Sequence, residues 1–114
     1  MIRGIGTDII EISRIEKAMK KIQFLQKVFT EKEQEEQKAR GEKMESYAAI
    51  FSAKEAIVKA MGTGFRGISF TDIEILHDDL GKPLVYLYGI AQNNWHISLS
   101  HCKEYAVATA IWEE

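Results

Sequence analysis

Ten residues, Phe51–Ala60, limit the possible folds of this chain more than any others, because strong helix formers, an apolar stripe and charges of both signs occur together there. Winding residues 49–61 at about 100° per residue gathers small and aliphatic side chains on one side: Ala49, Ala53, Ala56, Ile57 and Ala60. The same winding brings Ser52, Glu55 and Lys59 together on another side. One side of the predicted helix is therefore suited to burial, and the other is suited to chemistry.

Lys54 projects from a third side of this helix, among the apolar residues Ile50, Val58 and Met61. Its aliphatic stem is expected to lie along apolar surface while its ammonium group reaches outward. Glu55 and Lys59 have the i, i+4 spacing of an ordinary exposed salt bridge, which contributes about 0.2–0.5 kcal/mol. From this stretch alone, a surface salt bridge is the more economical interpretation of the pair.

The chain has 114 residues, which suits one domain, residues 1–114, with a hydrophobic core of its own. Its net charge of -2 gives no general attraction to nucleic acid. No segment approaches the ~18 apolar residues that span a membrane, and no apolar run of signal length follows the N-terminus. Cys102 is the single cysteine, so a reducing compartment fits. We expect a cytoplasmic protein with neither nucleic acid nor membrane as a partner.

The N-terminal segment, residues 2–12, is rich in β-branched side chains and is predicted to form the first strand. A period of two places Gly4, Gly6 and Asp8 on one face of this strand. The glycines indicate close approach of another backbone or of a ligand, or simply a bulge. Asp8 is either a turn or cap residue, which is the commoner case, or a partly desolvated carboxylate held for a cation.

Ser13 and Glu16 have the capping-box spacing, which predicts a helix that begins at Arg14. The buried stripe of this helix is expected to consist of Ile15, Ala18, Met19, Ile22 and Leu25. The same region carries a cluster of basic residues: Arg14, Lys17, Lys20, Lys21 and Lys27. These residues either bind an acidic partner or form a solvated helix face, and the pattern favours neither alternative.

Thr30 and Glu33 repeat the capping spacing and predict a very polar helix that ends near Gly41. Because it has little to bury, this helix is expected to be exposed and mobile. The long central helix is predicted over residues 44–61 and ends at Gly62, a typical left-handed C-terminal glycine. A phosphate bound beyond this helix end would need cations, because the helix dipole there repels anions.

The rest of the chain predicts a sheet. Strands are expected over residues 73–77, 84–88, 95–100 and 105–112, with a turn over 78–83 and a short helix over 89–94. Alternation places Trp95, Ile97 and Leu99 inward. The last strand is nearly continuously apolar, so it is expected to be central or to be covered on both faces by subunit packing.

Asp8 and Glu55 are two carboxylates on different elements, each close to lysines. The cysteine and the histidines do not have the spacing of a zinc motif. Two carboxylates with few other protein ligands suit Mg²⁺, which keeps waters and substrate phosphate oxygens around it. The pair therefore indicates phosphoryl or phosphodiester transfer.

Four motifs occur in order along the chain: Gly6-Thr7-Asp8-Ile9-Ile10-Glu11, Phe51-Ser52-Ala53-Lys54-Glu55-Ala56 with Lys59-Ala60, Gly81-Lys82-Pro83, and Ser98-Leu99-Ser100-His101. Together they closely resemble the small single-domain acyl-carrier-protein synthases, a group of the 4′-phosphopantetheinyl transferases. The resemblance covers nearly the whole chain. It implies an α+β fold in which an antiparallel sheet packs against the long central helix, and a homotrimer with active sites between subunits.

The resemblance implies a Mg²⁺-dependent reaction that supports fatty acid biosynthesis. The phosphopantetheine arm of coenzyme A moves to a serine of an apo-acyl carrier protein, and adenosine 3′,5′-bisphosphate is released. By the same resemblance, Asp8 and Glu55 hold Mg²⁺, and Glu55 takes the serine proton directly or through a water. Lys59 is expected to stabilise the developing charge.

The resemblance also implies two sets of binding residues. Those expected to bind coenzyme A are Lys54, Lys59, Gly62, Gly64, Lys82, Pro83, Ser100 and His101. Those expected to bind the acidic carrier protein are Arg14, Met19, Lys20 and Lys21. Ile50 occupies a position where members of the family often have an arginine that contacts a coenzyme phosphate, and Arg66 or Lys54 is expected to substitute for it.

Two other functions fit parts of the sequence. A non-catalytic module would bind an acidic protein through the basic first helix. A Mg²⁺-dependent phosphodiesterase would cleave coenzyme A without any carrier protein. The transferase explains all four motifs at once, and we therefore prefer it.

Overall fold

The computed structural model describes the whole chain, residues 1–114, as four α-helices and two three-stranded antiparallel sheets. The elements in order are β1 Ile2–Glu11, α1 Ile12–Ala18, α2 Ile22–Val28, α3 Glu31–Ala39, α4 Met44–Met61, a 3₁₀ turn Phe70–Asp72, β2 Ile73–His77, β3 Pro83–Leu87, β4 Ile90–Ala91, β5 Trp95–His101 and β6 Tyr105–Glu113. One sheet has the strand order β1-β6-β5 and the other β2-β3-β4. Helix α4 packs across the first sheet, so the predicted α+β class and central helix are confirmed.

Helix α4 lies unusually close to the first sheet because both surfaces consist of small residues. The contributing alanines are all buried: Ala53, Ala56 and Ala60 on α4, and Ala106, Ala108 and Ala110 on β6. On β1, a Cβ atom added to Gly6 would overlap the carbonyl oxygen of Ala56, and one added to Gly4 would overlap that of Ala60. Of the alternatives for the glycines, close approach of another backbone is therefore the one observed.

Gly6→Ala is expected to destabilise the protein by about 1–3 kcal/mol, the usual cost of overpacking. The added Cβ would also lie 2.9 Å from the amide nitrogen of Ala60, and backbone atoms cannot rotate out of the way. The measurement is urea unfolding followed by the fluorescence of Trp95 and Trp112. Gly62→Ala is the control, because that site has open space and a positive φ of 77°, so it tests backbone strain alone. Equal stability of Gly6→Ala and wild type would contradict the proposed close approach.

Helix α3 begins with the predicted capping box, in which the side chains of Thr30 and Glu33 each accept a hydrogen bond from the backbone N–H of the other residue. The expectation that this helix is exposed along its length is wrong, because Glu33 and Gln37 are fully buried. Glu33 Oε2 accepts a hydrogen bond from the backbone N–H of Ile75 at 2.7 Å, and Glu36 Oε1 accepts one from that of His77 at 2.8 Å. Carboxylates of α3 thus occupy the place of a neighbouring strand along the outer edge of β2.

The first helix differs from its prediction at both ends. It begins at Ile12 rather than Arg14, and Ser13 makes no capping bond, because the N–H of Ile12 donates to the carbonyl of Glu104 across the β1–β6 ladder. It ends at Ala18, and the chain bends before α2 begins. Ile22 therefore leaves the predicted buried stripe and is exposed.

The strands agree with the sequence pattern except near residue 89. Tyr88 and Gly89 both have positive φ, 52° and 78°, and form a turn into β4 in place of the predicted short helix. Strand β6 is central in its sheet, as predicted. Trp95 is buried and stacks on Trp112 with ring centroids 5.3 Å apart. No helix combines the length and the apolar composition needed to cross a bilayer.

Candidate active site

Three polar side chains of α4 and one of β1 form the candidate site. Ser52 donates to Asp8 Oδ2 at 2.8 Å, and Lys59 Nζ donates to Asp8 Oδ1 at 3.1 Å. Glu55 lies on the same helix face between Ser52 and Lys59, one turn from each. The structure therefore brings the predicted residues Asp8, Glu55 and Lys59 together. The predicted salt bridge between Glu55 and Lys59 is replaced by one between Asp8 and Lys59.

The carboxyl of Glu55 has an environment that disfavours its charge. Burial raises the pKa of Glu55, the nearby charge of Asp8 raises it further, and Lys59 lowers it. Asp8 is held in place from both oxygens, and its side chain is only 14% exposed, whereas that of Lys59 is 54% exposed. The site thus combines a fixed carboxylate, a second carboxylate with raised proton affinity and an accessible ammonium group.

Lys54 does not reach the site, so its prediction as a coenzyme contact is wrong. Its side chain is fully buried, and its ammonium donates three hydrogen bonds: 2.6 Å to the carbonyl of Val28, 2.7 Å to Glu33 and 3.0 Å to the carbonyl of Phe70. All three N–H groups are used inside the protein. The sequence did not indicate this because the partner, Glu33, lies on the helix that was expected to be exposed.

A cleft of about 320 Å³ lies between α4, the β2–β3 turn and β5. It brings together parts of the third and fourth motifs, with Gly81 and Pro83 on one side and Ser98 and His101 on the other. Lys82 and Ser100 are exposed beside the cleft and do not line it. The cleft does not include Asp8 or Glu55, so the structure places the predicted residues in two separate groups.

The cleft residues that were not predicted include Arg40 at the end of α3 and His77 at the end of β2. Neither belongs to a recognisable motif, and their positions follow from the docking of α3 on β2. Ile50, the position at which the family often has an arginine, is buried in the core and supplies no cation. Arg66, the other expected substitute, lines a different and more exposed depression beside Gly62 and Gly64.

Basic residues of α1 and of the bend before α2 surround a shallow depression of about 440 Å³. It is lined by Arg14, Lys17, Ala18, Lys21 and Phe24. Of the other residues predicted to bind the carrier protein, Lys20 is exposed, whereas Met19 is half-buried and packs against the core. The surface therefore has a basic rim and a partly apolar floor.

The donor set fits a hard divalent cation. Asp8 and Glu55 supply two carboxylates, and no group of three or more potential metal ligands is assembled in the chain. Mg²⁺ commonly binds one or two carboxylates and completes its octahedral shell with water and substrate phosphate oxygens. A cation held by the two carboxylates would also offset the charge of Asp8, which adds to the burial that raises the pKa of Glu55.

The geometry can be compared with that of known proteins. A chain from Fusobacterium nucleatum called holo-acyl-carrier-protein synthase is 56% identical over 97% of this chain and 98% of its own. A crystal structure of a holo-acyl-carrier-protein synthase from Bacillus anthracis in complex with coenzyme A (3′,5′-ADP) is 44% identical, with a TM-score of 0.85 over 100% of this chain and 98% of that one. The synthase from Neisseria meningitidis is 36% identical, with a TM-score of 0.87 over the full length of both chains.

A family model described as the 4′-phosphopantetheinyl transferase superfamily matches residues 4–110. The match begins on β1 before Asp8, contains all of α4 and ends within β6. It therefore covers both the Asp8–Glu55 site and the cleft. The chain belongs to the 4′-phosphopantetheinyl transferase superfamily.

Proposed function

We propose that this protein, as one domain of residues 1–114, transfers the 4′-phosphopantetheine group from coenzyme A to a serine of an apo-acyl carrier protein. The observation that carries the proposal is that two carboxylates lie close together. Asp8 of β1 is held by Ser52 and Lys59 of α4, and Glu55 lies between these two residues on the same face of α4. The relatives at 56% and 44% identity support the choice of substrates. The products are the holo-carrier protein and adenosine 3′,5′-bisphosphate, and the reaction supports fatty acid biosynthesis.

Three residues carry the chemistry. Glu55 removes the proton of the attacking serine, directly or through a water. Lys59 donates to the phosphate oxygens as charge develops on them. Asp8 is fixed by Ser52 and orients Lys59 through the 3.1 Å ion pair. Asp8 and Glu55 would also hold Mg²⁺, which when bound neutralises charge on the pyrophosphate and improves the leaving group.

The test is incubation of the protein with coenzyme A, Mg²⁺ and apo-acyl carrier protein. The expected result is a carrier protein heavier by one phosphopantetheine group, seen by mass spectrometry only when all three are present. Binding of carrier protein without modification would favour the non-catalytic module. Cleavage of coenzyme A in the absence of carrier protein would favour the phosphodiesterase.

The carrier protein is proposed to dock on the basic depression of α1 and α2, because acyl carrier proteins are acidic. Lys21→Glu, which inverts one charge on its rim, is expected to raise the KM for carrier protein at least about tenfold, and added salt is expected to raise the wild-type KM. Lys38→Glu is the control, because Lys38 is exposed on α3 outside this depression. Equal KM values for the two variants would contradict docking here.

A homotrimer is also part of the proposal. The face of the first sheet opposite α4 exposes Ile5 at 65% and Ile9 at 60%, which leaves two apolar side chains of β1 uncovered. Since the cleft does not include Asp8 or Glu55, we propose that the two groups complete each other across a subunit boundary. Sedimentation velocity tests the trimer.

A cytoplasmic location is supported by Cys102, an exposed free thiol.

A further inference from the structure

Asp8 has a hydrogen-bond donor on each of its two carboxylate oxygens. Ser52 donates to Oδ2 at 2.8 Å, and Lys59 donates to Oδ1 at 3.1 Å. Ser52 is fully buried, whereas the side chain of Lys59 is 54% exposed. The bond from Ser52 is therefore a fixed part of the packing between α4 and β1. The bond from Lys59 is the one that Asp8 can exchange for another partner.

Lys59 supplies positive charge to both carboxylates of the site. It forms an ion pair with Asp8, and its charge also favours the ionised form of Glu55. A divalent cation held by Asp8 and Glu55 would replace both of these interactions. Such a cation and the ammonium group would also repel each other strongly at the separation of an ion pair. Asp8 therefore cannot keep both partners at full strength.

The ammonium group of Lys59 has a second contact that does not depend on the Asp8 carboxylate. It donates to the backbone carbonyl of Thr7 at 3.0 Å. The flexible stem of a lysine lets its ammonium turn, and the exposed position of Lys59 leaves room for that movement. Once it has left Asp8, the ammonium can donate to another anion, such as the phosphate oxygens of a substrate.

We propose that Lys59 and a divalent cation compete for the carboxylate of Asp8, so that Lys59 is released to the substrate when the cation binds. This inference rests on the proposed function, in which Asp8 and Glu55 hold Mg²⁺ and Lys59 contacts phosphate. It adds an order of events to that function, because Lys59 stays paired with Asp8 until the metal ion replaces it. It also implies that Lys59 weakens metal binding while it assists transfer.

The experiment measures Mg²⁺ binding to the whole protein by calorimetry, without coenzyme A or carrier protein. Lys59→Met is expected to bind Mg²⁺ at least about tenfold more tightly than the wild type, because the competing charge is gone. Lys59→Arg keeps a positive charge at this place and is expected to bind Mg²⁺ nearly as weakly as the wild type. Lys38→Met removes one positive charge from an exposed position on α3 and is expected to keep the wild-type affinity.

A double variant shows where the metal ion binds. When Asp8→Asn is added to Lys59→Met, the gain in Mg²⁺ affinity is expected to disappear, because the carboxylate for which the two cations compete is absent. Tight binding that persists in the double variant would overturn the competition. Equal or weaker Mg²⁺ binding by Lys59→Met, compared with the wild type, would also overturn it.

Transfer kinetics separate this inference from the proposed function. The residual transfer by Lys59→Met is expected to saturate at a lower Mg²⁺ concentration than transfer by the wild type. Absence of transfer by the wild type would overturn the proposed function, while the calorimetry would still decide whether Lys59 competes with the metal ion. Transfer by the wild type, together with equal Mg²⁺ affinities of Lys59→Met and wild type, would overturn the competition alone.

Discussion

Glu55→Gln is expected to slow phosphopantetheine transfer at least about 100-fold, the usual contribution of a general base. Glutamine has nearly the same shape but cannot accept the serine proton, and it is a poor ligand for a divalent cation. The measurement is the rate of carrier-protein modification at saturating coenzyme A. Glu45→Gln, at the start of the same helix and outside both groups of site residues, is the matched control and is expected to retain the wild-type rate.

Glu55→Gln is expected to be at least as stable as the wild type when no metal is present. Burial raises the pKa of Glu55 in the folded protein, so folding disfavours its ionised form. The resulting penalty grows as the pH rises from the unfolded pKa to the folded pKa and is complete above the latter. A neutral Gln removes that penalty at pH 7. Loss of stability with full transfer activity would show that Glu55 is a structural residue.

Lys54→Met is expected to reduce the free energy of unfolding by about 3–5 kcal/mol, as is typical when one member of a buried ion pair is removed. Glu33 would remain as an unpaired buried carboxylate, and the carbonyls of Val28 and Phe70 would lose their donor. Burial raises the pKa of Glu33 and lowers that of Lys54, and each charge opposes the shift of the other. Urea unfolding followed by tryptophan fluorescence measures the loss.

Two further variants test the cause of that loss. Adding Glu33→Gln to Lys54→Met is expected to recover part of the stability, because no charge then stays buried without a partner. Lys59→Met, on the same helix but half exposed, is expected to change stability by about 1 kcal/mol or less and to impair transfer. If Lys54→Met unfolded like the wild type but failed to transfer, Lys54 would act on the substrate, as its sequence motif suggested.

The ends of helices were predicted well where residues within the helix or next to it determine them. The bounds of α4, residues 44–61, and its left-handed end at Gly62 follow from helix formers and a glycine. The capping box of Thr30 and Glu33 starts helix α3, as predicted. Ser13 shows the limit of such signals, because a strand hydrogen bond from Ile12 determines where α1 begins.

Features that depend on tertiary partners were not predictable from one sequence. The face of α3 appeared entirely polar, yet its residues bond Lys54 and the edge of β2 and are therefore buried. The structural role of Lys54 was missed for this reason. Asp8 and Glu55 were predicted because the motifs that contain them, taken together with the other two, resemble a known family, whereas the helix face alone indicated an ordinary surface salt bridge.

The carboxylates of Glu33 and Glu36 have a consequence for how the protein avoids aggregation. Strand β2 is the edge of its sheet, and an edge with free N–H groups is a template for pairing with strands of other molecules. Two successive outward N–H groups, those of Ile75 and His77, are already bonded to α3. The helix thus covers this edge against intermolecular β-pairing, and detaching it would expose the free N–H groups of Ile75 and His77.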